Sequence, residues 1–170
     1  MAYGGDVLIG GACCLAVFTD LRYAKIPNWL VISLAALGLA WRATTGWGPL
    51  ASALLAMLCV LVVLVPLFAV GWFGGGDVKF MAAIGAVLGF PGWIPFVLLT
   101  LASGGLLSLI FAACAGQLRT ALAAVAHMFQ LAVYAQTPVA AAKTRVHVPY
   151  ALAIAAGYLL SLVWRHGAPL

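Results

Sequence analysis

Long runs of apolar residues, separated by short polar or glycine-rich stretches, make up most of this chain. Several runs reach the roughly 20 residues that an α-helix, rising about 1.5 Å per residue, needs to cross the hydrocarbon core of a bilayer. The strict alternation of apolar and polar residues that is typical of a membrane β-barrel does not occur in the sequence. The pattern therefore predicts an all-α, polytopic membrane protein whose helices fill the bilayer.

We predict about six transmembrane helices joined by short connections. They run from about Val7 to Phe18, Trp29 to Trp41, Leu50 to Val70, Val78 to Leu88, Trp93 to Ala115 and Val148 to Trp164. Glycine and proline predict turns at Thr44 to Pro49 and at Gly89 to Gly92. Pro27 and Asn28 indicate a break followed by a new helix. From Gln117 to Lys143, scattered polar residues favour an interfacial helix between the fifth and sixth crossings.

Composition supports a membrane protein. Hydrophobic residues make up 66% of the chain and charged residues only 6%, so the polar side chains could not cover the surface of a compact soluble globule. With 170 residues, the chain has room for these crossings as a single integral-membrane domain, 1–170, and for no separate soluble domain.

Lysine and arginine predict the orientation, because they favour cytoplasmic loops. If the connection after the first crossing is cytoplasmic, the inner side carries Arg22, Lys25, Lys79, Arg119, Lys143 and Arg145. Only Arg42 and Arg165 then lie outside, so we expect both termini outside. The net charge of +5 is explained by this bias and by attraction to anionic lipid headgroups, and nucleic-acid binding is not expected.

The chain has only three acidic residues, Asp6, Asp20 and Asp77. The predicted topology places Asp20 and Asp77 at the same membrane depth, at the inner ends of their helices, and Asp6 as a solvated residue toward the opposite face. Two carboxylates that meet around one water cannot both ionise, so they share a proton. One can then accept a proton from water while the other polarises a carbonyl, which is the chemistry of an aspartic protease.

Each aspartate also has a simpler interpretation. Asp77 follows three glycines and could cap the helix that begins at Val78, a role compatible with catalysis. Asp20 could pair with Arg22 or Lys25 among the lipid headgroups. The simpler expectation for Lys79 is that its side chain extends to a lipid phosphate. The more specific hypothesis is that it contacts the substrate.

Three segments resemble the type IV prepilin peptidases, membrane aspartic proteases with a Gly-x-Gly-Asp motif. The first holds Asp20, Arg22 and Ile26-Pro27-Asn28, the second is Gly74-Gly75-Gly76-Asp77-Val78-Lys79, and the third runs from Val148-Pro149-Tyr150-Ala151 to Gly157. The chain is most similar to the short, peptidase-only branch that serves Flp/Tad pilus systems. Together with the helix layout, the resemblance covers most of the chain.

The resemblance implies an enzyme that cuts the short leader of prepilins after a glycine, at the cytoplasmic face of the bacterial inner membrane. It implies Asp20 and Asp77 as the catalytic pair, with Gly74 and Gly76 as motif residues. Pro27 and Asn28 remain candidates for holding Asp20 in place, although a helix-entry break is the simpler interpretation. The implied partners are the prepilin, membrane lipid and pilus assembly machinery.

The chain departs from the longer, bifunctional members of that family, which carry paired Cys-x-x-Cys motifs in an N-terminal cytoplasmic segment and methylate the new N-terminus. Its four cysteines, Cys13, Cys14, Cys59 and Cys114, lie inside apolar runs without the spacing of zinc ligands. We therefore expect no N-terminal zinc or methyltransferase domain, no N-methylation, and no metal or cofactor.

Two rival functions remain open at the level of sequence. A small proton-coupled transporter could also use aspartates and glycine breaks within the membrane, although internal repeats would be expected. A non-catalytic subunit of a pilus or secretion assembly is the other alternative.

Overall fold

The computed structural model describes residues 3–69, 71, 73–114, 116 and 150–167. This part of the chain contains six helices: α1 (Tyr3–Tyr23), α2 (Asn28–Thr44), α3 (Trp47–Ala69), α4 (Gly75–Leu88), α5 (Trp93–Cys114) and α6 (Tyr150–Gly167). Among the described residues, three stretches are long and apolar enough to cross a membrane, namely Gly4–Tyr23, Trp47–Ala69 and Trp93–Cys114. The prediction of an all-α polytopic membrane protein is confirmed.

Most helix boundaries follow the turn signals in the sequence. The new helix after Pro27 is confirmed, because Pro27 has extended backbone angles (φ −71°, ψ 138°) and α2 begins at Asn28. The predicted start of α4 at Val78 is wrong, since Gly74 makes the turn in extended conformation and the helix begins at Gly75. The predicted turn before the third crossing is shorter than expected, because α3 begins at Trp47. The predicted interfacial helix lies outside the described residues.

Helix α4 forms the centre of the bundle. From Phe80 to Val87 every residue is buried, as expected for a helix that is apolar on all sides. Its 14 residues span about 21 Å, which is less than the thickness of the hydrocarbon core of a bilayer. The helices around α4 must therefore span the remaining thickness. Because most of α4 is buried, the residues in the first turn of α4 are attached directly to the core.

Contacts at the two ends of the bundle show that successive helices run in opposite directions. At one end, the Arg42 guanidinium at the end of α2 donates to the carbonyl of Val87 at 2.8 Å and to that of Leu88, which lack partners within α4. At the other end, Gly76 in the first turn of α4 lies against Ile26, in the connection between α1 and α2. The ends of α1 and α3 and the starts of α2, α4 and α6 thus share one end.

Asp6 is held by α6 at the end that carries Arg42. Its Oδ1 accepts hydrogen bonds from the Tyr158 hydroxyl at 2.8 Å and from Arg165 Nη2 at 3.0 Å. The expectation that Asp6 is a solvated residue is therefore wrong. Its partners follow it by about 150 positions in the chain, so no local pattern could indicate them.

Helices α5 and α6 are in very close contact. A Cβ added at Gly157 would lie within 2.5 Å of the Thr100 Cα, and one at Gly104 would lie 2.7 Å from the Tyr150 hydroxyl. Glycine at these positions lets the two helices approach. Because Tyr150 begins α6 beside Gly104, which is in the middle of α5, the last part of α5 continues past the start of α6.

The contact between Ile26 and Gly76 predicts a disulfide. A Cβ built on Gly76 lies 3.6 Å from the Ile26 Cβ, within the range found across disulfides. In a chain whose native cysteines are replaced by serine or alanine, the pair Ile26→Cys and Gly76→Cys should cross-link on mild oxidation in membranes. The measurement is labelling by a maleimide-polyethylene glycol reagent. Oxidation should prevent the labelling of both cysteines, and a reductant should restore it.

The matched control pairs Ile26→Cys with Gly48→Cys, because Gly48 lies in the first turn of α3, at the opposite end, with open space around it. This pair should keep both thiols reactive. Equal cross-linking of the two pairs, or no cross-linking between positions 26 and 76, would contradict the arrangement in which successive helices run in opposite directions.

Candidate active site

Asp20 is buried near the end of α1, with 6% of its surface exposed. Its Oδ2 accepts a hydrogen bond from the backbone N–H of Ala151, at 3.1 Å. Ala151 is the second residue of α6, where N–H groups have no carbonyl partner inside the helix and the helix dipole is positive. A carboxylate from one end of the sequence is thus held by the start of a helix from the other end.

Asp77 lies in the first turn of α4 and is half-buried. Its Oδ2 accepts a hydrogen bond from the N–H of Gly74 at 3.2 Å, so the side chain reaches back to cap its own helix. Asp77 therefore caps a helix start, but from the third position of α4 and not from the position before Val78 that the sequence predicted. Gly74 has no side chain to return the interaction, and a Cβ there would lie only 2.8 Å from the same carboxylate oxygen. Glycine at 74 therefore leaves room for the Asp77 carboxylate.

The two aspartate segments meet through Gly76. A Cβ added at this glycine would be 3.6 Å from the Ile26 Cβ and 3.7 Å from the Ile26 carbonyl oxygen. Ile26 is itself 9% exposed, so the contact belongs to the core. The structure therefore places the start of α4, which carries Asp77, against the connection that follows Asp20.

The start of α6 contacts both segments. The ring of Tyr150 packs edge-on against Phe73, just before the glycines, with the ring centroids 4.8 Å apart. Because Ala151 binds Asp20, the dipeptide Tyr150-Ala151 links the surroundings of the two carboxylates.

The other residues singled out from the sequence lie around this site. Arg22, Lys79 and Asn28 are exposed, and the Arg22 guanidinium lies 5.7 Å from the ring centroid of Tyr23. Pro27 is partly buried, and its carbonyl accepts the Leu30 N–H at 3.1 Å in the first turn of α2. This contact supports helix entry as the role of Pro27.

Sequence reasoning did not identify Phe73, or the Ala151 amide, as part of this site. A backbone N–H carries no residue-specific signal, since every residue except proline has one. The one signal was the segment Val148-Pro149-Tyr150-Ala151, whose resemblance to the prepilin peptidases singled out the start of the last apolar run. It could not indicate which carboxylate that start would face.

The arrangement can hold two carboxyl groups at one end of a membrane bundle, in surroundings that are mostly apolar. Each has an oxygen bound by a backbone N–H, which restrains the side chain.

Comparison with known families agrees with these features. Residues 7–110 match the type IV leader peptidase family, and this range is more than half of the chain and includes both Asp20 and Asp77. Comparisons with curated proteins and with solved structures give no match. The chain therefore belongs to the type IV leader peptidase family.

Proposed function

We propose that this protein is an aspartic endopeptidase that removes the short leader of Flp-like type IV prepilins, with Asp20 and Asp77 as its catalytic pair. Membership of a peptidase family supports protease activity in general. The observation that carries the assignment of the pair is the start of α6, where Ala151 binds Asp20 and Tyr150 packs against Phe73, just before the glycines that lead to Asp77.

In the proposed reaction, the carboxylate of one aspartate takes a proton from a water molecule, and the resulting hydroxide attacks the carbonyl carbon of the scissile bond. The carboxylic acid of the other aspartate donates its proton to the developing oxyanion. Collapse of the tetrahedral intermediate breaks the C–N bond, and the amine leaves with a proton from the pair. The bound N–H groups of Gly74 and Ala151 hold the two carboxyl groups in position for these transfers.

The proposed substrate has an apolar helix that lies in the membrane beside the enzyme, with its leader at the cytoplasmic face of the bacterial inner membrane. Cutting after a glycine suits a narrow site, because glycine lets the substrate backbone become extended. We expect the processed pilin to pass to the pilus assembly machinery.

The distribution of charge supports the cytoplasmic orientation. At the end opposite the aspartate pair, Arg42 binds helix carbonyls and Arg165 binds Asp6. At the aspartate end, Arg22, Lys25 and Lys79 are exposed. Exposed lysine and arginine favour the cytoplasmic side of a membrane, so the aspartate end is assigned to the cytoplasm in this proposal.

We also propose that the enzyme does not methylate its product. The four cysteines are distributed over α1, α3 and α5, which does not match the paired ligands of a structural zinc site. The mature pilin should therefore carry an unmodified N-terminal amine.

Replacing either catalytic aspartate should abolish leader removal. Asn keeps the size of Asp but cannot exchange the proton, so Asp20→Asn and Asp77→Asn should each lower cleavage by roughly 10²-fold or more. The measurement is the mass of candidate short prepilins co-expressed with each variant, which also shows whether a methyl group is added.

Asp6→Asn is the matched control, because it removes the same charge at the opposite end of the bundle. It should leave cleavage near the native level at equal expression. Normal cleavage by Asp20→Asn or Asp77→Asn would reject the protease assignment and leave a carrier or an assembly subunit as the explanation.

The N–H of Ala151 can be removed without removing the helix. Proline is tolerated in the first turn of a helix, so Ala151→Pro should fold but lose the hydrogen bond to Asp20. A hydrogen bond to a charged group corresponds to roughly 10-fold or more in rate. We expect a fall of that size in kcat, measured with purified enzyme and prepilin.

Leu152→Pro is the control, since it places the same residue one position later, where no bond to Asp20 is lost. Its kcat should remain much closer to native. If both variants lose the same activity, distortion of the helix start explains the loss, and the positioning role of the amide is wrong.

A further inference from the structure

A cavity of about 390 Å³ opens at the end of the bundle opposite the aspartate pair. Two guanidinium groups from distant parts of the chain line it, Arg42 at the end of α2 and Arg165 near the end of α6. Asp6 also lines it, so the charged side chains in the cavity amount to two positive charges and one negative charge, a net charge of +1. Nothing in the proposed peptidase chemistry uses this cavity.

Both arginines keep hydrogen-bond donors beyond their contacts within the described part of the chain. The bonds from Arg42 to the carbonyls of α4 use Nε and Nη2. The bond from Arg165 to Asp6 uses Nη2. A guanidinium has five N–H donors in a planar fork, so Nη1 of Arg42 and both Nε and Nη1 of Arg165 can bind a further acceptor.

Exposed tryptophans place this cavity at the depth of the lipid headgroups. Trp41, which lines the cavity, is 42% exposed, and Trp47 and Trp164 at the same end are 86% and 65% exposed. Tryptophan favours the interface between membrane and water, where its ring lies in an apolar layer and its N–H forms hydrogen bonds with water. The cavity therefore faces the layer that contains lipid phosphates.

The walls of the cavity combine polar and apolar groups. Trp41 and Leu88 contribute apolar surface beside the two arginines, so an occupant with both an anionic head and an apolar body fits better than a small soluble anion. Arginine binds phosphate through paired N–H donors, in a geometry that matches two phosphate oxygens.

We propose that this cavity binds the phosphate group of an anionic phospholipid, with Arg42 and Arg165 as its ligands. The bound lipid bridges the ends of α2 and α6 on the face away from the aspartate pair. Asp6 competes with the phosphate for Arg165, because both are anionic acceptors of the same guanidinium.

The test measures binding of phosphatidylglycerol to the purified full-length chain by native mass spectrometry, with phosphatidylcholine as the reference lipid. Arg165→Gln should weaken retention of phosphatidylglycerol by roughly tenfold, the loss expected for a charge-assisted contact. Asp6→Asn should strengthen retention, because the competing carboxylate is gone. Arg22→Gln, which removes an equal charge from an exposed position at the opposite end, should weaken it much less than Arg165→Gln.

The Asp6 variant distinguishes lipid binding from a structural role of the ion pair. If Arg165 serves only to hold Asp6, then Asp6→Asn leaves lipid retention unchanged and the proposal fails. It also fails if Arg22→Gln weakens retention as much as Arg165→Gln, since only general charge attraction is then at work. Glycerol phosphate that binds as tightly as the whole lipid would overturn the assignment to a lipid.

Discussion

The hydrogen bond between the Asp20 carboxylate and the Ala151 amide joins the beginning of the described chain to its last helix. A buried carboxylate is unfavourable in an apolar environment unless polar partners compensate it. The start of α6 supplies such a partner, because its first N–H groups are not used within the helix. The position of α6 and the position of Asp20 therefore depend on each other.

The position of the Asp77 carboxylate also depends on the start of α6, but less directly. Asp77 caps the helix on which it lies, and that helix is buried along most of its length, so its first turn has little freedom to move. The edge-on packing of Phe73 against Tyr150 then fixes the glycine-rich turn against α6. Core packing thus brings the two segments to one place.

Charge is distributed in a complementary way at the two ends of the bundle. Where the aspartate pair lies, cationic side chains are exposed, whereas at the other end Arg42 and Arg165 have partners within the protein. An arginine that compensates helix carbonyls or a carboxylate is retained for structural reasons.

The sequence by itself determined the helical class, the breaks at Pro27 and at the glycines, and the two aspartates as the candidate pair, because apolar run length, turn residues and scarce acidic residues are local features. It misplaced the start of α4 and the environment of Asp6, and it could not indicate the Ala151 amide. Only the tertiary structure decided the environment of Asp6 and the role of the Ala151 amide, since both depend on contacts between residues more than a hundred positions apart. Such contacts follow from how whole helices pack, which the pattern within each helix does not specify.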